Sequence, residues 1–128
     1  MRKITNILFV VWFTCSVSFA QSEFLSTVKE SLSSGNASAL SENFANNLNC
    51  NILGKENFYS RSQSAIVLKD FFATYKPKEF TIRQQKVEKN GIIYLIGKYT
   101  AQGGEVFNIT ICAKQETEIY IIQIKIEK

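Results

Sequence analysis

From Ser60 to Tyr75 the apolar positions recur at helical spacing. At roughly 100° per residue, Ala65, Val67, Leu68, Phe71, Phe72 and Tyr75 fall within an arc of about 160°. Lys69, Asp70, Ser62 and Gln63 lie outside it, and Ile66 is the one large apolar residue on the polar side. Ser60 with Gln63 three residues on predicts a capping box. The helix should stop at Lys76, because a residue before proline is pushed out of the α region. Upstream, Phe24, Leu25, Val28 and Leu32 predict a helix over Gln21–Ser33. Ala37, Leu40 and Phe44 predict a shorter one over Ala37–Asn46. The Ser34-Gly35-Asn36 break makes the pair a hairpin. Leu48–Leu53 reads as a first strand, and Gly54–Asn57 as a turn toward the central helix.

Beyond Pro77 the period changes from helical to two. Four strands are expected, over Glu79–Val87, Ile92–Thr100, Glu105–Ala113 and Glu118–Ile126. Asn90-Gly91, Gly103-Gly104 and Gln115–Thr117 supply turns between them, so the strands should form an antiparallel meander. Phe80, Ile82 and Gln84 are expected on one face, and Phe107, Ile109 and Ile111 toward the core. Two strands are apolar on both faces. Ile93 and Leu95 oppose Ile92 and Ile96, while Ile119 and Ile121 oppose Tyr120, Ile122, Ile124 and Ile126. A sheet with one wet face alternates more cleanly. The expectation is therefore either a doubly covered sheet or a homodimer through the outer sheet face.

The first twenty residues have a different plan. Arg2 and Lys3 precede an apolar run from Ile7 to Phe13, and Ser18-Phe19-Ala20 closes it with small residues at the two sites a signal peptidase reads. This is the layout of a signal peptide over residues 1–20, followed by a single domain over 21–128. The run is too short to span a bilayer comfortably, so no membrane span is expected after cleavage. Trp12-Phe13-Thr14 before Cys15 are too bulky for a lipid-attachment site. The expected compartment is therefore outside the cytoplasm, in the periplasm. Removing Arg2 and Lys3 lowers the formal net charge of +4 by two. The remainder is too small to point to nucleic acid. Cys50 and Cys112 survive cleavage, but strand parity puts one sulfur inward and the other outward, which argues against a disulfide.

Chemistry is sparse. The chain has no histidine, hence no simple general base near neutral pH and no common metal ligand. Asp70, its only aspartate, lies on the polar side of the central helix. No paired carboxylates share an inward face, and no glycine pattern suits a phosphate. Neither cofactor nor metal is expected. Lys76, Lys78, Arg83, Lys86 and Lys89 read as a solvated edge, diluted by Glu79 and Glu88. The candidate ligand-binding residues are Phe71 and Tyr75 from the helix, with Gln84 and Tyr99 from the strands. Together they would place a few polar groups in an apolar lining.

Several stretches carry a resemblance. They are Ser34-Gly35-Asn36-Ala37, Glu56-Asn57-Phe58-Tyr59-Ser60, Gln63, Leu68-Lys69-Asp70-Phe71-Phe72, Phe80-Thr81-Ile82, Gly97 and Ile121 to Glu127. On these residues the chain resembles an exported Bacteroidota family, domain of unknown function 4783, within the nuclear transport factor 2-like (cystatin-like) superfamily. The resemblance implies an α+β cone: a helical hairpin, one strand, a central helix and a curved four-strand meander. It implies no catalytic residue. Isomerases and dehydratases of the wider fold commonly use Asp and His, and this chain has no His. The expected function is non-enzymatic binding of a small apolar ligand or a protein partner. The alternatives are an isomerase- or hydrolase-like enzyme using the cone, or a self-associating structural accessory protein.

Overall fold

A computed structural model describes residues 20–128. The expected signal segment thus lies outside the described residues, apart from Ala20. Three helices, α1 (residues 20–34), α2 (Ala37–Ser41) and α3 (Arg61–Thr74), pack on one face of a curved, unclosed sheet. The strands are β1 (Phe44–Ile52), β2 (Lys55–Ser60), β3 (Pro77–Val87), β4 (Ile92–Ala101), β5 (Val106–Gln115) and β6 (Ile119–Glu127). Their order across the sheet is β2-β1-β6-β5-β4-β3. The meander from β3 to β6 is antiparallel as expected, whereas β1 runs parallel to β6. A single core joins Phe24, Val28 and Leu32 of α1 and Leu68, Phe71 and Phe72 of α3 to the inward residues of β1, β4, β5 and β6.

The central helix follows its sequence closely. Ser60 Oγ accepts from the Gln63 amide at 3.3 Å, and Gln63 Oε1 accepts from the Ser60 amide at 3.4 Å. A hydroxyl cap of this kind contributes about 1 kcal/mol. Leu68, Phe71 and Phe72 are buried; Ile66 and Asp70 stay in solvent. The helix ends where Tyr75 donates back to the Phe71 carbonyl, two residues before Pro77.

The front half departs from expectation. The second helix covers only Ala37–Ser41, and β1 begins at Phe44. Phe44 pairs with Ile121 and Asn49 with Gln123, so β1 carries a bulge against β6. Phe44 and Leu48 are both buried, as an even spacing in a strand allows, while Asn46 between them is exposed. Ala37, Leu40 and Phe44 keep helical spacing across the true end of α2, which is why the run to Asn46 reads as a helix. Gly54–Asn57 is not a long turn either. Leu53 and Gly54, with φ of 54° and 87°, make a two-residue hairpin, and Lys55 already starts β2. Two consecutive positive φ values are what such a hairpin requires, but Leu53 in the first of them is not a turn signal. The strand was obscured because its outward position holds Phe58.

Bulges also correct the face assignments in the back half. β3 shifts register between Ile82, opposite Gly97, and Gln84, opposite Ile96. Gly97 belongs to the inward row with Leu95 and Tyr99, and Ile96 points away from the helices. Gln84 therefore does not share a face with Phe80 and Ile82; it is exposed on the outer side. In β6, a second shift sets Ala113 opposite Ile121 and Cys112 opposite Gln123. Ile121, Ile124 and Ile126 consequently all face the core. An alternation that skips a residue at a bulge explains most of the strand's two-sided apolarity, and Ile124 and Ile126 leave the outer face. Cys50 and Cys112 are free and stand on opposite faces, as expected. Cys112 is nevertheless covered, beside Tyr94 in the register.

One close approach holds the curvature of β3 against β4. A Cβ added to Gly97 would lie 2.3 Å from Phe80 Cζ and 3.0 Å from the Thr81 carbonyl oxygen. Only glycine lets the Phe80 ring cross there. Gly97→Ala should therefore cost about 2 kcal/mol by overpacking, lowering the melting temperature by about 10 °C for a domain of this size. Phe80→Leu in the same chain should recover part of that loss in a thermal melt; additive losses would refute the contact as the cause.

Candidate functional site

Three of the four sequence-predicted residues meet on the concave side. Phe71 and Tyr75 come from the last turn of α3, Tyr99 from β4, and Phe107 from β5 opposite Tyr99. The 71, 72, 75 spacing places the helical rings on one side, and the inward parity of β4 and β5 supplies the others. Phe71 and Phe107 meet at 5.2 Å between centroids with planes at 76°, and Tyr75 and Phe107 at 4.8 Å with planes at 63°. Tyr99 stands 5.5 Å from Phe71 and 6.0 Å from Phe72. Edge-to-face pairs of this kind add about 0.5–1.5 kcal/mol each beyond area burial. The rings occupy the space between helix and sheet. Gln84 is apart from them, on the outer face of β3.

The buried ionisable groups are all held in their neutral form. Tyr99 is 0% exposed and donates its hydroxyl to the Tyr75 carbonyl. Burial pushes its pKa up to about 12. Cys50 Sγ and Ser64 Oγ are hydrogen-bonded at 3.5 Å inside the core; burial raises the thiol's pKa, and the Ser64 hydroxyl, as a donor to the thiolate, partly offsets it. Burial likewise raises Cys112, against the opposing hydrogen bond to Tyr94. A phenol and two thiols shifted this way offer no base near neutral pH. Among the described residues no group of three His, Cys, Asp or Glu side chains is placed to hold a metal ion. No described helix is long and apolar enough to cross a membrane.

A groove of about 990 Å³ opens elsewhere, between the start of α1, the bulged start of β1 and the β5–β6 turn. Phe24 and Phe44 form its buried floor, and Ile119 and Tyr120 one half-buried wall. Phe58 on β2 forms the other and is 73% exposed. The bulge leaves Ala45 and Asn46 with no register partner on β2 or β6. Sequence reasoning missed this site. Its one available signal was a phenylalanine at an outward position of the polar run Lys55–Ser60.

Tyr99 lends itself to measurement. Tyr99→Phe leaves the half-buried Tyr75 carbonyl without its donor and should cost about 1–2 kcal/mol. The pH dependence follows from the sign of the shift. A phenol whose folded pKa is raised above its unfolded value of 10.0 contributes stability that is complete below pH 10 and lost as pH rises toward 12. Denaturant titrations should show wild type losing more stability than Tyr99→Phe across that window. Parallel curves would refute the buried neutral phenol.

The fold and its fillings can now be set beside known proteins. The profile of the family described as "Domain of unknown function (DUF4783)" matches residues 25–127. A DUF4783 family protein from Bacteroides ovatus superposes with a TM-score of 0.74 at 20% identity, over 80% of this chain and 92% of that one. Another from Bacteroides fragilis gives 0.73 at 23% identity, over 80% and 95%. An NTF-2 like protein of unknown function from Silicibacter pomeroyi gives 0.62 at 18% identity, over 89% and 97%. No protein of curated function matches. The helices against an unclosed curved sheet are thus a nuclear transport factor 2-like fold, and the chain belongs to the DUF4783 family.

Proposed function

We propose that this chain is an exported, non-enzymatic binding domain that engages another protein through its surface rather than a small molecule through its cone. The observation that carries this reading is the filled concave side. Phe71, Phe72, Tyr75, Tyr99 and Phe107 form one connected chain of ring contacts where the fold would otherwise hold a ligand. The Tyr99 phenol at its centre is engaged with a backbone carbonyl. Ligand pockets of ordinary size need open volume with a few convergent polar groups. A small apolar ligand held by Phe71, Tyr75 and Tyr99 would require these rings to part. The neutral forms of Cys50 and Tyr99 weigh against an isomerase- or hydrolase-like role for the same space. Export rests on the plan of residues 1–20, with the periplasm as the compartment.

A homodimer through the outer sheet face is a second reading, favoured by one patch. Tyr94 is 38% exposed, flanked on β4 by the half-buried Ile92 and Ile96. With Ile124 and Ile126 turned inward the patch is small, so the association should be weak. Sedimentation equilibrium well above micromolar concentration should then show a dimer that Tyr94→Glu dissociates. Monomer alone at those concentrations would sink this reading.

Native mass spectrometry of the mature protein, purified gently from its own compartment, tests the main proposal. The expected species are the bare chain or the chain with a second polypeptide. A retained small apolar adduct would overturn the protein-binding reading in favour of a ligand within the cone.

A further inference from the structure

The groove beside Phe58 is separate from the aromatic cluster, and its charge is unlike that of the chain. Glu23, Glu42, Glu116 and Glu118 line it, against Arg61 and, once residues 1–20 are removed, the α-ammonium of Gln21 at its edge. The whole sequence has 15 basic and 11 acidic residues, so the groove reverses the sign of the molecule. Nor is that charge neutralised internally. Among the described residues only Glu116 of the four has an ion-pair partner, Lys114 at 3.3 Å. Arg61 points its guanidinium at Asn46 Oδ1, 3.3 Å away, and not at a carboxylate. Beside these charges stands a phenylalanine ring left almost entirely in water, with Tyr120 across the groove.

We infer that this groove receives a lysine- or arginine-bearing segment of a partner protein. The inference rests on the protein-binding reading above and specifies its partner. Three features suit such an occupant. The unpaired carboxylates attract cations and set the approach of an oppositely charged segment. The exposed ring of Phe58, with the half-buried Tyr120 in the same lining, holds an ammonium or guanidinium group by cation–π attraction, and aliphatic stems by apolar contact. At Ala45 and Asn46, where β1 leaves its neighbours, an extended chain finds backbone groups free of strand pairing, the usual terms of strand-type peptide recognition. The volume, about 990 Å³, accommodates several residues.

The test is a fluorescence-anisotropy titration of the mature protein with a labelled nonapeptide of alternating lysine and leucine. A matched peptide carries glutamate in place of lysine. The lysine peptide should bind saturably and the glutamate peptide should not. Raising salt through the range where the Debye length falls from about 10 Å to about 3 Å should weaken the binding. The double variant Glu42→Lys/Glu118→Lys should lose about tenfold or more in affinity, a change of about 1.4 kcal/mol, and Phe58→Ala a smaller but measurable factor. Glu79→Lys, exposed on the far edge strand β3, should bind as wild type does. All three variants change exposed side chains, and circular dichroism verifies that each is folded; Phe58→Ala tests the site independently of charge. An equal loss in Glu79→Lys, equal binding of the two peptides, or no binding of the lysine peptide overturns the inference. These outcomes leave the protein-binding reading standing, because only a retained apolar adduct in the native mass measurement removes that.

Discussion

The contact between the end of α3 and the inner faces of β4 and β5 is the constraint on which the rest depends. A curved sheet with helices on one side must fill its concavity or leave it open. Here Phe71, Tyr75, Tyr99 and Phe107 fill it, and the Tyr99 hydroxyl ties the sheet to the last carbonyl of the helix end. The position of α3 follows, since its cap at Ser60 and its stop before Pro77 fix its length between β2 and β3. The curvature follows as well, because Gly97 admits the Phe80 ring where any side chain would push the strands apart. With the interior filled, the uncompensated features of this molecule are found on its surface.

Much of this was legible in the sequence. The limits of α3, its capping box, the four-strand meander and the opposed faces of the two cysteines follow from spacing and turn chemistry alone. Phe71, Tyr75 and Tyr99 were read from the same patterns and do converge. Most of what escaped on the sheet faces depends on a bulge. Period-two reasoning assumes that each residue reverses the face, and one extra residue breaks the assumption for everything beyond it. Gln84 was lost from the inner face in this way, and Ile124 and Ile126 were gained by it. At Ala37, Leu40 and Phe44 a helical spacing ran on past the end of α2 into β1. No local signal marks the bulged positions, because a bulge is set by how two strands pair and not by the sequence of either one.

The groove was illegible for a related reason. Its walls come from residues near 20, near 45, near 60 and near 118, and no single stretch carries a motif. Each of its glutamates alone reads as ordinary surface charge. Only the assembled fold sets them around an exposed ring with one arginine that is turned to an asparagine.

The parallel pairing of β1 with β6 has a consequence for how the molecule comes into being. Phe44 finds its partner at Ile121, on the strand formed last along the chain. Until β6 is present, β1 and β2 have no neighbour to join them to the meander, and the floor of α3 is incomplete. Contacts of such long sequence separation close slowly, since the chain's freedom must be surrendered before the pairing rewards it. The sheet is therefore complete only once its first and last strands lie side by side, which makes the β2-β1 edge the part of the fold that must wait longest for its partner.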